Sequence, residues 1–203
     1  MGNAREPFYP ETYYHVFNHG NANDNLFLKH ENYHFFLKKY AKYISPIAKT
    51  YAYCLLPNHF HFFIKIKSEI EIMAYFQETP KKINQIQHNI STFISYQFSH
   101  FFNSYSKAFN KVFERKGSLF LDNVNRNCVD NDSYFTKLIH YVHANPVHHG
   151  FVNKIEQWEH SSYRSILSEK PTQLQRNEVI AWFGGKEAFI LFHQQPIDPK
   201  IYP

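Results

Sequence analysis

Apolar and polar positions alternate in several short runs of this chain and recur at helical spacing in longer ones. Tyr13 to Asn18 (YYHVFN) alternates aromatic and β-branched residues and predicts a strand, closed by His19-Gly20 and an Asn-rich turn. Glu31 to Ile44 carries Tyr33, Phe36, Leu37, Tyr40, Ala41 and Ile44 at helical spacing and ends before Pro46. Ile47 to Leu56 predicts a second strand. Pro57-Asn58 then turns the chain into His59 to Lys67 (HFHFFIKIK), its expected hairpin partner. Glu69 to Phe113 reads as mostly helical, with a break at Thr79-Pro80, and Ser118 to Val129 as a strand entered after Gly117. Asp132 to Ala144 predicts a helix capped by Asp132 or Ser133 and stopped by Pro146. Glu178 to Phe192 predicts one more, interrupted at WFGG.

The succession β-α-β-β-α-β followed by a helix favours an α+β fold. Its expected form is a ferredoxin-like antiparallel sheet with helices on one face. Residues 1–167 are expected to form one domain. Residues 168–203 are expected to be a C-terminal extension packed on that same domain, because no linker composition separates them.

Composition narrows the function classes. At 203 residues the chain can bury a core without disulfide or metal staples, and two cysteines, Cys54 and Cys128, suit a reducing cytoplasm. No apolar run approaches the ~20 residues that span a bilayer, so a soluble, cytoplasmic protein without a membrane partner is expected. Six glycines leave neither a dinucleotide fingerprint nor a phosphate-cradling loop, which argues against a nucleotide cofactor. The chain carries 15 Tyr, 21 Phe, 14 His and a net charge of +5. That balance suits a polyanionic partner, nucleic acid first, and equally an ordinary basic surface.

Two pairs of residues carry candidate chemistry. His59 and His61 stand two apart in a predicted strand and so share a face, where both imidazoles can grip one cation. In a chain this rich in histidine, roughly one His-x-His arises by chance, so a structural pair is the plain alternative. Tyr141 and Asn145 stand four apart on a predicted helix, a phenol beside an amide acceptor. Their plain alternative is a half-buried tyrosine and a helix-ending asparagine.

Together the segments resemble a known family. PNHFHFFI, followed some eighty residues later by LIHYVHANPVHHGFV, resembles the single-tyrosine HUH transposases, most closely the REP-associated tyrosine transposases. YYHVFNHG, SYSKAFNKVFERKGSLF and HSSYRSIL fit in order, and the resemblance covers about residues 10 to 167. It implies an HUH endonuclease fold with His59 and His61 as metal ligands, Asn145 in the place of a third, amide-type ligand, and Tyr141 as the nucleophile. The implied cofactor is a divalent cation, Mg or Mn. The implied reaction cuts and rejoins single-stranded DNA beside a hairpin or palindromic repeat through a 5′-phosphotyrosine, by a monomer or a homodimer.

A catalytically idle DNA-binding derivative and a replication-initiator or relaxase nickase are the alternatives. The chain departs from the family at His19-Gly20, where Arg-Gly is common, and in LDNVNRNCV, which keeps only Arg126 of an otherwise basic segment. Lys107, Lys111, Arg115, Lys116 and Arg126 are expected to form a DNA-backbone surface if the preceding helix packs beside the sheet. Lys137, one turn before Tyr141, either assists the phenol or phosphate or is a solvated helix lysine.

Overall fold

The computed structural model of the chain describes residues 6–121, 124–131 and 134–196. Its centre is a sheet of β1 (Tyr13–His19), β2 (Ala48–Leu56), β3 (His59–Ile66) and β4 (Asn125–Val129) in the order β2-β3-β1-β4. Every neighbouring pair is antiparallel, and this is the ferredoxin-like strand order. The protein is therefore α+β, as the alternation of strand and helix patterns predicts.

Side-chain alternation along β3 sorts the core into two layers. Phe60, Phe62, Ile64 and Ile66 join one cluster with residues of α1 (His30–Tyr43) and α4 (Ile90–Val112). There Tyr40 stacks on Phe62 at 4.4 Å, and Phe36 meets Phe60 at 5.4 Å and Phe101 at 4.8 Å. Phe63 points to the other face and packs on Phe135, the first residue of α5 (Phe135–His148), at 5.2 Å. Helices thus cover both faces, not one. The expectation of a single covered face accounts for α1 and α4 only, because the strands bury apolar side chains on both sides. β3 is buried along both faces accordingly, only Lys65 being partly exposed. A register shift between Thr50 and Ala52 puts both Tyr51 and Ala52 into the α5-side cluster, while the Thr50 hydroxyl meets Tyr40 at 2.7 Å on the other side.

The long helical stretch is divided twice. α2 (Glu69–Tyr75) starts at Ser68, whose hydroxyl accepts from Glu71 N while Glu71 Oε2 accepts from Ser68 N, a capping box. α3 (Pro80–His88) begins with proline in its first turn, where no N–H is needed. Asn89 then breaks the chain a second time and caps α4 through Thr92 N.

Three predicted boundaries differ. The strand expected over Ser118 to Val129 is confined to Asn125–Val129, with Phe120 joined to Gly20 only by an isolated bridge. Helix α5 runs through Pro146 to His148. That proline withholds one N–H from the last turn, and His149 N still donates to Asn145 O at 3.0 Å. The proposed caps Asp132 and Ser133 lie outside the described residues. After α6 (Tyr163–Leu167), the predicted C-terminal helix is two helices, α7 (Arg176–Trp182) and α8 (Lys186–His193), hinged where Gly184 and Gly185 adopt φ of 81° and 129°.

Val179 of α7 and Phe189 of α8 are fully buried in one cluster with Leu138, Ile139 and Val142 of α5. His143 of α5 lies between His193 Nε2, 2.9 Å from its Nδ1, and Ser162 Oγ, 2.7 Å from its Nε2. Phe189→Ala should therefore lower stability by about 3–5 kcal/mol and shift a single denaturant transition that includes the sheet. A separate early transition for α7 and α8 would contradict a shared core. Burial pushes His143 well below the ordinary histidine range and His193 down to about 3. Folded-state values below the unfolded 6.5 mean that their contribution is complete above about pH 6.5 and is lost as pH falls toward 3. The urea midpoint should drop over that window, and His193→Gln should flatten the slope.

Candidate functional site

The site is built where α5 crosses the face of the sheet that carries the histidines. β1 pairs with β3 so that His19 lies opposite His59, Phe17 opposite His61 and His15 opposite Phe63. Positions 15, 17 and 19 share a face with 59, 61 and 63, and His15 is the diagonal neighbour of His61. Four residues of helix rise about 6 Å and two residues of strand about 6.6 Å, so α5 can match β3 in step. The Tyr141 ring stands edge-on to His61 at 5.6 Å and to His15 at 5.9 Å. One turn later, the Asn145 amide lies close enough to His59 to influence its titration.

His59, His61, Asn145 and Tyr141 are all nearly inaccessible to solvent. Gly20 leaves no room for a side chain: a Cβ there would sit 1.9 Å from Asp24 O, and Gly20 N donates to Asn58 O at 2.7 Å, tying the end of β1 to the hairpin turn before His59.

The hydrogen bonds set the ring orientations. His59 Nδ1 lies 2.8 Å from Asn58 Oδ1, and donating there leaves the lone pair on Nε2. His59 Nε2 is buried and has no hydrogen-bond partner among the described residues. Asn145 Nδ2 donates to Tyr141 O at 2.9 Å, which leaves Asn145 Oδ1 as the inward atom, likewise buried without a partner. With His59 Nδ1 as the donor to Asn58, both atoms are acceptors and neither satisfies the other. A cation satisfies both, and a neutral imidazole with an amide oxygen is a sound donor set for a divalent metal.

His61 Nδ1 lies 2.9 Å from His15 Nε2, so donation to His15 leaves the lone pair on His61 Nε2. Burial is the main cause that holds His59 down to about 3 and His61 well below the ordinary range, with neighbouring histidines adding to it. His15 is lowered by burial alone, to about 3. All three are neutral at physiological pH, the form a metal ligand requires.

His15, His19 and His149 escaped the reading of the sequence as members of this site. His19 stacks on His59 at 4.7 Å, and the His149 ring stands 4.8 Å from it. The available signal was the run His15-Val16-Phe17-Asn18-His19, whose alternation puts both histidines on one strand face but has no meaning until β1 is paired with β3.

Of the predicted cations, the lysines are exposed and the two arginines are engaged by the protein itself. Lys107, Lys111 and Lys116 are exposed on and just beyond α4, and Lys137 is exposed on α5. Arg115 pairs with Asp24 and donates to Ser118 O, so it fastens the segment after α4 to the loop after β1. Arg126 is buried, donates to Glu6 O and lies 4.2 Å over the Phe8 ring. The expected DNA-backbone surface therefore loses Arg126, because on β4 it faces the helical layer.

A solved REP-associated tyrosine transposase bound to a REP hairpin is similar to this chain. The TM-score is 0.56 at 16% identity, covering 84% of this chain and 88% of that one. The chain has the fold of a REP-associated tyrosine transposase. No protein-family model and no curated protein matches the sequence. The likeness to the transposase is one of three-dimensional arrangement.

Proposed function

We propose that the protein is a strand-transfer endonuclease acting on single-stranded DNA beside a hairpin, with Tyr141 as nucleophile and His59, His61 and Asn145 holding a divalent cation. The observation that carries this reading is the orphaned, buried pair His59 Nε2 and Asn145 Oδ1 beside the Tyr141 ring. The transposase fold supports it, as does the REP hairpin that the similar transposase binds.

An unperturbed phenol ionises near pH 10 and is a weak nucleophile at neutral pH. Mg or Mn held here would polarise the scissile phosphate and offset charge developing on its oxygens. The three proposed ligands are neutral, so they leave the cation's charge undiminished for phosphate. Tyr141 presents its oxygen from a helix fixed against the same strand that carries the histidines, which makes attack an oriented, intramolecular event once DNA is bound. The phenolic oxygen bonds to phosphorus and gives up its proton. The P–O3′ bond breaks, and the 3′ oxygen leaves and takes up a proton. The resulting 5′-phosphotyrosine keeps the phosphodiester energy, so rejoining needs no nucleotide. One chain supplies all four side chains, and we infer that exchange of tyrosine helices between two copies is not required.

Tyr141→Phe removes only the phenolic oxygen. It should abolish the covalent adduct with a hairpin-bearing single-stranded oligonucleotide, read on a denaturing gel, while DNA binding persists. His59→Ala should lower metal affinity as well as adduct yield. Near-normal cleavage by Tyr141→Phe would sink the mechanism. An idle DNA-binding derivative would instead give no adduct even from the unaltered protein.

A second expectation concerns His15, which orients His61 from behind. His15→Ala should weaken Mn²⁺ binding by about 10–100-fold, measured by titration calorimetry, with the His59–Asn145 pair left in place. Unchanged affinity would show that His61 needs no such support.

A further inference from the structure

On the opposite side of β2 from the tyrosine site, the first turn of α1 meets the segment 158–162. Among the described residues this is where histidine and carboxylate side chains converge most closely: His30, Glu159 and His160 each bring one ligand atom within 4.8 Å of the other two. His30 Nδ1 lies 3.4 Å and His160 Nε2 3.5 Å from the same oxygen, Glu159 Oε1. Both separations are longer than the about 2.7–2.9 Å of a well-formed charge-assisted N–H···O bond. They match the edge of a tetrahedron of ligands about 2.0–2.1 Å from a central zinc, which is about 3.4 Å.

A second observation comes from the other nitrogen of His30. His30 Nε2 lies 2.6 Å from His34 Nε2, one helical turn along α1. If His30 Nδ1 gives its lone pair to a metal, Nε2 must carry the proton, and His34 is placed to accept it. That is the outer-shell arrangement which fixes the tautomer of metal-bound histidines.

The site is held on a firm base. Leu55 N donates to His160 O at 2.9 Å, Trp158 Nε1 donates to Leu55 O at 3.0 Å, and Ser162 N donates to Tyr53 O at 2.9 Å, so 158–162 runs hydrogen-bonded along β2. The His160 ring stacks flat on Tyr33 of α1, with centroids 3.6 Å apart. Glu159 and His30 face solvent, which leaves the fourth coordination position to water.

We propose that His30, Glu159 and His160 form a zinc site, with His34 as the outer acceptor to His30. Two imidazoles and one carboxylate suit zinc over magnesium, in contrast to the His, His, Asn set on β3. The ion joins α1 to the segment after the tyrosine helix, so it binds the folded chain and not the unfolded one, and its effect is stabilisation.

The test is zinc titration of the metal-stripped full chain by calorimetry, with melting followed in parallel. His30→Ala and Glu159→Gln alter surface side chains. Each should bind one zinc fewer than the unaltered protein and lose the rise in Tm that zinc produces. His34→Ala should retain the site with affinity weakened by about 10–100-fold. Equal zinc stoichiometry and equal Tm shifts in the unaltered chain, His30→Ala and Glu159→Gln would overturn the proposal. Adduct formation by Tyr141 is a separate readout, so failure here leaves the strand-transfer reading untouched.

Discussion

The antiparallel register between β1 and β3 is the constraint on which the rest depends. β3 is covered on both faces, with phenylalanine and isoleucine toward α1 and α4 and histidine toward α5. A slip of one residue would carry His59 and His61 into the aromatic layer and Phe60 and Phe62 into the site. Burying imidazoles without partners is costly, so the register that gives His61 to His15 and His59 to Asn58 is favoured on polar grounds as well as apolar ones.

That sheet sets the terms for α5. The helix is anchored by Phe135, Leu138, Ile139 and Val142 in the core, and this fixes its rotation. Tyr141 and Asn145, on adjoining turns, then meet the two histidines in step. The helix continues through Pro146 to His148 because its contacts in the core outweigh one missing hydrogen bond. The result is a desolvated polar cluster with neutral rings and two unsatisfied acceptors inside an otherwise aromatic interior. Such an arrangement is unfavourable for stability alone and understandable for a cation-dependent site.

The arginines illustrate the opposite relation between residue type and role. Arg115 and Arg126 look like phosphate contacts in a basic stretch, yet both are engaged by the protein itself. One is held by Asp24 and the carbonyl of Ser118, the other by the Glu6 carbonyl and the face of Phe8. Exposed Lys107, Lys111 and Lys116 keep their charge at the surface and are the ones still suited to a polyanion.

The elements of the sheet, the α+β class and the pairs His59/His61 and Tyr141/Asn145 were legible in the amino-acid order. Periods of two and 3.6 are local properties that adjacent residues impose on one another. The covering of both faces was not legible, nor were the positions of His15 beside His61 and of His19 and His149 beside His59, nor the withdrawal of Arg126. Nor was the meeting of His30 and His34 with Glu159 and His160. Each depends on which distant segments become neighbours, and that is decided by the register of paired strands and the rotation of packed helices, energies summed over the whole core. Local pattern determines which face a residue occupies; only the folded chain decides what faces it.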